Sequence, residues 1–302
     1  MIYKQFRLLC GALLILALQI SSDCRAAVNV FGDSLSETGN FYLASGGALP
    51  PAPLYYEGRF SNGPAWVECF ARALGEDAPL PSVLGGTNFA FNGARASGES
   101  PYSTPDLAMQ VASYLDANGG IADRDDIFVV WAGANDIFFG ALGGETDFIP
   151  EAIGGISESI RSLYAAGARK FVVLDLPLLG QTPFFNTEPY ISSQLDAATS
   201  AFNSYLASEL QSLKHELTQV RIADAKVSQL FEAITRAPRF FGLRNTTDSA
   251  TNFDPVTGIG FALVHGVNPD RYLFWDSVHP TAQGHKIIAA YACLEFKFKV
   301  RR

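Results

Sequence analysis

Short apolar runs alternate along the chain with longer segments in which apolar residues recur at helical spacing. The runs at 27–31, 126–132 and 170–176 are almost continuously apolar, which is typical of parallel strands covered on both faces of a sheet. A weaker run at 220–223 and the segment TNFAF at 87–91 complete five predicted strands. The predicted helices lie at 64–74, 105–117, 150–166, 190–216 and 281–297.

This alternation of strands and helices predicts an α/β domain built on a doubly wound parallel sheet. No internal repeat, low-complexity tract or linker interrupts the pattern, so we expect a single domain over residues 27–302. The least regular segment is 237–276, which is rich in Phe, Gly, Asn, Thr and Pro. A loop of this length inside a compact domain is usually functional or disordered.

The first residues form a separate pattern. The apolar run at 8–20 follows Lys4 and Arg7, is short for a membrane span, and is followed by small residues. This layout predicts a secretory signal peptide over residues 1–26, with cleavage after Ala26. The alternative is an uncleaved signal anchor. Export with cleavage predicts a secreted or periplasmic protein.

The charge of the chain narrows its range of partners. The formal net charge is −8, and without residues 1–26 the 19 basic and 29 acidic residues that remain leave −10. An exported protein of this charge is a poor candidate for binding nucleic acid or an anionic lipid surface. Nothing in the sequence indicates an oligomeric state.

Two cysteines remain after the predicted cleavage, Cys69 and Cys293. Both fall in predicted helices, and no spacing typical of metal ligands is present. One interpretation is a pair of buried thiols. The other is a single disulfide, which an exported protein can form.

Three short polar segments lie where predicted strands end or where the last helix begins. They are GDSL at 32–35, GAND at 133–136 and DSVHP at 276–280. Because the carboxyl ends of the strands meet at one edge of an open α/β sheet, segments so distant in sequence can converge there. They supply a serine, a side-chain amide and an acid–histidine pair, which are the parts of a serine hydrolase. The G-x-S-x-G motif of α/β-hydrolases is absent from the sequence.

The proposed triad residues each have a structural alternative. Ser34 follows a glycine turn, and its hydroxyl would need an adjacent base to act as a nucleophile; the alternative is a turn or helix-capping residue. In a loop, the spacing of Asp276 and His279 lets the carboxylate reach Nδ1 of the imidazole and leaves Nε2 free for the serine. The alternative for Asp276 is a surface acid at the start of a helix.

Two further residues could stabilise an oxyanion. Asn135 follows Gly133 at a strand end, where its amide could donate to a developing negative charge. Its alternative is a turn residue. The backbone N–H of Gly93 could approach the same oxygen, although taken alone Gly93 is an ordinary loop glycine.

Four blocks of the chain together resemble the GDSL esterase/lipase family of the SGNH hydrolase superfamily. They are FGDSLSETGN at 31–40, NFAFNGARA at 88–96, GAND at 133–136 and DSVHPTAQGH at 276–285. The resemblance implies a three-layer α/β/α flavodoxin-like fold with a central five-stranded parallel sheet, and it needs no metal or cofactor. One departure is Glu37, where many family members have Asp.

Carried over by position, the resemblance implies a catalytic triad and an oxyanion hole. Ser34 would be the nucleophile, His279 the base and Asp276 the partner of the base. The oxyanion hole would be formed by the backbone N–H groups of Ser34 and Gly93 and by the side-chain amide of Asn135.

The expected substrate is a carboxylic ester, and six phenylalanines in or near predicted rim loops favour an apolar acyl chain over other ester substrates. Core packing is the alternative role for these rings. A lipid or phospholipid acyl hydrolase, with transient contact to a lipid surface, is therefore expected ahead of a carbohydrate O-deacetylase. A catalytically silent binding protein is a third, weaker alternative. The six residues are Phe138, Phe139, Phe184, Phe185, Phe240 and Phe241.

Overall fold

A parallel sheet of four strands lies at the centre of the computed structural model, which describes residues 26–254, 258, 260 and 262–300. Apart from Ala26, the predicted signal peptide lies outside these residues. All five residues of the first two strands are buried, as expected for strands covered on both faces. In spatial order the strands are β1 (Val28–Gly32), β2 (Ile127–Trp131), β3 (Lys170–Leu174) and β4 (Arg221–Ala225).

The predicted fifth strand, 87–91, runs beside β1 but pairs with it through a single isolated parallel bridge, between Val30 and Asn88. Phe89 N donates to Val30 O at 2.8 Å, so the segment does follow the edge of the sheet. On its other side the segment has no neighbouring strand in the part of the chain that the structure describes: Asn88 forms one isolated bridge with Pro81, and Ala90 N donates to the side-chain Oδ1 of Asn88. The prediction of five full strands is therefore corrected to four strands and an accompanying segment.

The helices that periodicity predicted are present, with ends within about two residues of the expected positions. Three other helices, at Asn40–Ala44, Ala134–Gly143 and Val227–Arg236, were not predicted. The described residues contain eight α-helices: α1 (Asn40–Ala44), α2 (Trp66–Leu74), α3 (Leu107–Ala117), α4 (Ala134–Gly143), α5 (Phe148–Ala166), α6 (Pro189–Glu216), α7 (Val227–Arg236) and α8 (Ala282–Lys299).

The helices cover both faces of the sheet and give the expected three layers. Helices α2 and α8 pack against each other on one face, with α7 beside α8. Helices α3, α5 and α6 form the opposite layer, and α4 contacts both α5 and α6. The rings of Trp66 on α2 and Trp131 on β2 meet edge to face at 5.7 Å, and both are buried. Burial of each such side chain stabilises the fold by about 1.5–3 kcal/mol.

The segment expected to be irregular, 237–276, contains regular structure. Its strands β5 (Asn245–Ser249) and β6 (Tyr272–Phe274) pair in parallel as a second, two-stranded sheet. A second hydrophobic cluster, separate from the main core, lies against this region. Its buried members are Tyr55, Phe60, Ala250, Phe253 and Trp275.

The two cysteines lie on the packed helices α2 and α8, as the sequence predicted, but both are free thiols in the structure. The disulfide is therefore not formed, and the interpretation as thiols fits, with Cys293 buried and Cys69 half-buried. Over the described part of the chain, no helix has both the length and the apolar character needed to cross a membrane.

Candidate active site

The turn that carries Ser34 is held from behind by a buried glutamine. Gln110 of α3 accepts from Gly32 N at 2.8 Å and donates from Nε2 to Gly32 O at 2.9 Å. At Gly32, with φ +148°, a Cβ would lie 2.0 Å from the carbonyl oxygen of Trp131, so only glycine fits there. Asp33 then accepts from Leu35 N at 3.0 Å, which closes the turn around the serine.

The structure brings Ser34, His279 and Asp276 into one hydrogen-bonded chain. The Nε2 atom of His279 lies 2.8 Å from the Oγ atom of Ser34. Its Nδ1 atom lies 2.8 Å from Oδ2 of Asp276. His279 and Asp276 are buried, whereas Ser34 is half-buried and faces a cleft. The spacing of three residues thus does let the carboxylate reach Nδ1, and it leaves Nε2 for the serine.

The loop at 276–280 is held by hydrogen bonds between the Asp276 side chain and the loop's own backbone. Oδ1 of Asp276 accepts from Val278 N at 2.9 Å and from His279 N at 2.7 Å, an arrangement in which the carboxylate closes a tight turn. After Pro280, the hydroxyl of Thr281 accepts from Gly284 N at 3.1 Å and caps helix α8. The triad loop is therefore fixed between the short strand β6 and a capped helix.

The three predicted oxyanion donors line the same cleft as the serine. Asn135 lies in the first turn of α4, and its Nδ2 donates to Ala94 O at 2.9 Å. This bond orients the amide and uses one of its two N–H groups, so the second is available to a ligand. Among the described residues, the backbone N–H groups of Ser34 and Gly93 donate to no protein acceptor. A Cβ on Gly93, where φ is +68°, would lie 2.2 Å from the ring of Tyr102.

Two buried carboxyl groups hold the loop that carries Gly93, and the sequence analysis did not assign them this role. Asp136 accepts from Ala96 N at 2.8 Å and also from the backbone of Ser97. Glu37, the departure from the family pattern, accepts from Asn92 N at 2.8 Å. Although Glu37 is one methylene longer than the Asp of many family members, its carboxyl group still bonds to the loop beside the site.

Burial changes the ionisation of several groups around the serine. Desolvation raises the pKa of Asp33 to about 7, of Glu37 to about 8 and of Asp136 to about 6. His285 of helix α8 is buried and accepts from Trp66 N at its Nδ1 atom. Desolvation lowers its pKa to about 3, so it is a neutral packing and capping residue.

A cleft of about 390 Å³ extends from Ser34 and His279 into the molecule, and most of its wall is apolar. Of the six phenylalanines expected at the rim, four line it: Phe138, Phe139, Phe184 and Phe185. The other two do not, since Phe240 is 86% exposed and Phe241 packs on the core. The remaining hydrophobic lining residues are Leu35, Tyr102, Trp131, Ala134, Leu142, Pro177, Leu179, Phe231, Phe274, Val278 and Pro280.

Within the residues that the structure describes, no group of three or more His, Cys, Asp or Glu side chains is arranged to hold a metal ion. The chemistry that this arrangement supports is nucleophilic attack by Ser34 on a carbonyl carbon. His279 is placed to take the serine proton, and three N–H donors are placed to bind the oxygen.

Comparison with known proteins points to one family. A model of the GDSL-like lipase/acylhydrolase family matches residues 28–292. The chain is 29% identical to the phosphatidylcholine-sterol acyltransferase of Aeromonas hydrophila, over 89% of this chain and 90% of that protein. It is 27% identical to acetylajmalan esterase 2 of Rauvolfia serpentina, over 86% of this chain and 87% of the esterase.

Other similar proteins are longer or more distant. The thermolabile hemolysin of Vibrio parahaemolyticus is 28% identical over 87% of this chain, but the match spans only 62% of the hemolysin. Among solved structures, a catalytic mutant of an acetylxylan esterase from Geobacillus stearothermophilus aligns with a TM-score of 0.48 at 12% identity. That alignment covers 90% of this chain and 94% of the esterase.

Proposed function

Because the chain belongs to the GDSL-like lipase/acylhydrolase family and is a carboxylic ester hydrolase, we propose that it cleaves lipid acyl esters through an acyl-enzyme on Ser34. One observation carries this proposal. The hydrogen-bonded chain of Ser34, His279 and Asp276 stands at the mouth of a largely apolar cleft.

In the first half of the reaction, Ser34 Oγ attacks the ester carbonyl carbon while His279 Nε2 takes the serine proton. The tetrahedral intermediate then collapses. The bond to the alcohol oxygen breaks, and His279 gives its proton to the departing alcohol. Asp276 accepts the hydrogen bond from His279 Nδ1 throughout, which holds the ring in position and stabilises the imidazolium.

In the second half, water replaces the alcohol. His279 takes a proton from the water as its oxygen attacks the acyl carbon, and the second tetrahedral intermediate releases the acid and returns the proton to Ser34. In both halves the oxyanion is bound by the backbone N–H groups of Ser34 and Gly93 and by the Asn135 amide. A donor of this kind contributes about 3 kcal/mol to transition-state stabilisation.

The cleft favours a long acyl chain over an acetyl group. Aromatic and aliphatic side chains of α4, α7 and the loop after β3 form its walls, so an acyl chain would bury apolar surface that an acetyl group would leave uncovered. The named activity of the Aeromonas hydrophila relative, on phosphatidylcholine and sterol, supports a lipid substrate for this chain. Carbohydrate O-deacetylation would use the same serine and is an outcome of the test below.

We also propose export, from the pattern of residues 1–26 alone. A charged start, an apolar run and small residues at the end are the layout of a cleaved signal peptide. Sequencing the N-terminus of protein recovered outside the cytoplasm decides the question. A chain that begins near Ala27 supports export with cleavage, and one that begins at Met1 supports a signal anchor.

The substrate experiment compares p-nitrophenyl esters from acetate to palmitate, phosphatidylcholine vesicles and acetylated xylan, with Ser34→Ala as the matched control. We expect kcat/KM to rise with acyl length, and we expect phosphatidylcholine to be cleaved. A preference for acetate and for acetylated xylan would instead show an O-deacetylase. Cleavage of no ester by the folded protein would show a binding protein.

A fluorophosphonate probe tests the nucleophile separately. It should add to one serine of the native chain and to none in Ser34→Ala. Labelling that persists in that variant would assign the nucleophile to another residue.

A further inference from the structure

A tyrosine from a distant loop reaches the carboxylate of the triad. The hydroxyl of Tyr55 donates to Oδ2 of Asp276 at 2.5 Å, across 221 positions of sequence. Only 2% of Tyr55 and none of Asp276 is exposed, so no solvent competes for this bond. No motif in the sequence marks Tyr55.

Counting acceptor positions shows what the hydroxyl adds. A carboxylate offers about four lone-pair directions. Oδ1 of Asp276 accepts from the backbone of Val278 and His279, and the imidazole Nδ1 lies 2.8 Å from Oδ2 and 3.0 Å from Oδ1. Tyr55 fills the remaining position. Among the described residues it is also the one hydrogen-bond partner of this carboxylate from outside the 276–279 loop.

The ring of Tyr55 is held rigidly. It lies edge to face with Phe60, Phe253 and Trp275, at centroid distances of 5.9, 5.4 and 6.3 Å. The ring of Phe60 in turn lies 4.9 Å from the imidazole of His279. The second hydrophobic cluster therefore supports both the acid and the base of the triad, and it fixes the direction of the hydroxyl.

The hydroxyl stays protonated wherever the enzyme works. Desolvation raises the pKa of the Tyr55 phenol far above its usual range, and the negative charge of Asp276 raises it further. The group is thus a permanent donor to the carboxylate.

We propose that Tyr55 is a positioning residue for the esterase reaction, acting through Asp276 on the orientation and basicity of His279. The inference rests on the proposed function of Ser34, His279 and Asp276. The bond holds Oδ2 toward Nδ1 and draws off part of the carboxylate charge. Without it, the two backbone donors still hold Oδ1, but Oδ2 is held by the imidazole alone, and the full carboxylate charge acts on the imidazolium.

Two effects of Tyr55→Phe follow, of different kinds. The loss of alignment lowers kcat. The more concentrated charge on Asp276 favours the imidazolium, so the acid limb of the kcat/KM profile moves to higher pH. Asp33 and His285 interact electrostatically with His279, and Asp254 does so with Tyr55. All three groups remain in the variant.

The experiment measures kcat, KM and the pH profile on p-nitrophenyl butyrate for the full chain and for Tyr55→Phe. We expect kcat to fall ~10–100-fold, as for loss of a hydrogen bond to a charged group, with KM within about twofold. Tyr164→Phe is the matched control, because it removes a hydroxyl that bonds to Thr218 away from the cleft. That control should leave kcat and the pH profile unchanged.

A double-mutant cycle separates positioning from general packing. If Tyr55 acts through Asp276, Tyr55→Phe should change kcat little in an Asp276→Asn background. Equal losses in both backgrounds, or an unchanged kcat and acid limb in a stable Tyr55→Phe, would overturn the proposal.

If Tyr55→Phe does not fold, fluorotyrosine placed at position 55 keeps the ring and the hydroxyl and makes the hydroxyl a stronger donor. The acid limb should then move to lower pH, and an unmoved limb would overturn the proposal. A wild-type chain that cleaves no ester would instead overturn the esterase proposal itself.

Discussion

At the scale of single residues, the site depends on side chains that never face the cleft. Gln110 holds the turn before Ser34, and Glu37 and Asp136 hold the loop that carries Gly93. Each does so by bonding to backbone, so the serine and the oxyanion donors are positioned by groups that leave the cleft wall free. Asn135 differs, because it lines the cleft, bonds to Ala94 O with one N–H and leaves the other available to a ligand.

Asn135→Ala should lower kcat by ~10²–10³ and leave KM almost unchanged, because the amide binds the oxyanion more strongly than the ground-state carbonyl. Asn135→Asp should be as poor or worse, since a carboxylate would face the developing negative charge. Steady-state kinetics and thermal melting of the folded variants check both. A near-normal kcat in a stable Asn135→Ala would eliminate the oxyanion role, and a lowered Tm with mild loss of activity would indicate a turn residue.

At the scale of elements, helix α8 and the short strand β6 hold the loop between them. Thr281 connects the two elements, because its hydroxyl accepts from Gly284 N of α8 and donates to Tyr272 O of β6 at 2.8 Å. The packing of α8 against α2 then ties this loop to the helical layer on that face of the sheet. Stability of the last helix and integrity of the triad loop are therefore linked through one side chain.

Thr281→Ala should lower the free energy of unfolding by about 1–2 kcal/mol, because both the helix cap and the bond to β6 are lost. Thr281→Ser keeps the hydroxyl and should be close to the wild type. Urea unfolding of the three proteins measures the difference. Equal stability of the alanine and serine variants would show that the cap contributes nothing.

The same pair of helices carries the two cysteines, and their separate burial predicts two free thiols in the native protein. Desolvation raises the pKa of both thiols, which slows oxidation because the thiolate is the reactive form. Mass analysis after alkylation under denaturing, non-reducing conditions should show both Cys69 and Cys293 modified. If neither cysteine is alkylated, the two are joined in a disulfide.

At the scale of the whole molecule, buried acids make stability depend on pH. Burial raises the pKa of Glu37 from 4.5 to about 8 and that of Asp33 from 3.8 to about 7. Between pH 5 and 8 the folded chain therefore keeps protons that the unfolded chain has lost. The free energy of unfolding should consequently fall as pH rises through this range.

Glu37→Gln removes a group that binds a proton in the folded chain but not in the unfolded chain. The decrease of the free energy of unfolding with pH should therefore become less steep, by up to ~1.4 kcal/mol per pH unit. Glu99→Gln is the matched control, because it makes the same charge change at an exposed position. Unfolding by urea at pH 5, 6, 7 and 8 gives the slopes. If the two variants have equal slopes, Glu37 is already ionised in the folded protein.

Sequence patterns predicted the four strands of the main sheet and the site segments well because both are local signals. Buried strands appear as apolar runs, and Ser34, Asn135 and His279 each lie in a short motif. Helix α4 was missed because its first turn is the polar GAND segment, which reads as a loop. Gln110 and Tyr55 were missed because their roles come from contacts with residues 78 and 221 positions away, which no local pattern records.

The bond between Ser34 and His279 joins residues 245 positions apart, the first at the end of the opening strand and the second just before the closing helix. Under the proposed export, a chain that is still on the ribosome or still crossing a membrane thus holds the serine without its base. Under the proposed function, such a chain cannot attack the esters of the membrane it passes. The site is therefore completed only when the segment that carries His279 has folded. Until then the chain is inactive without the help of a propeptide or an inhibitor.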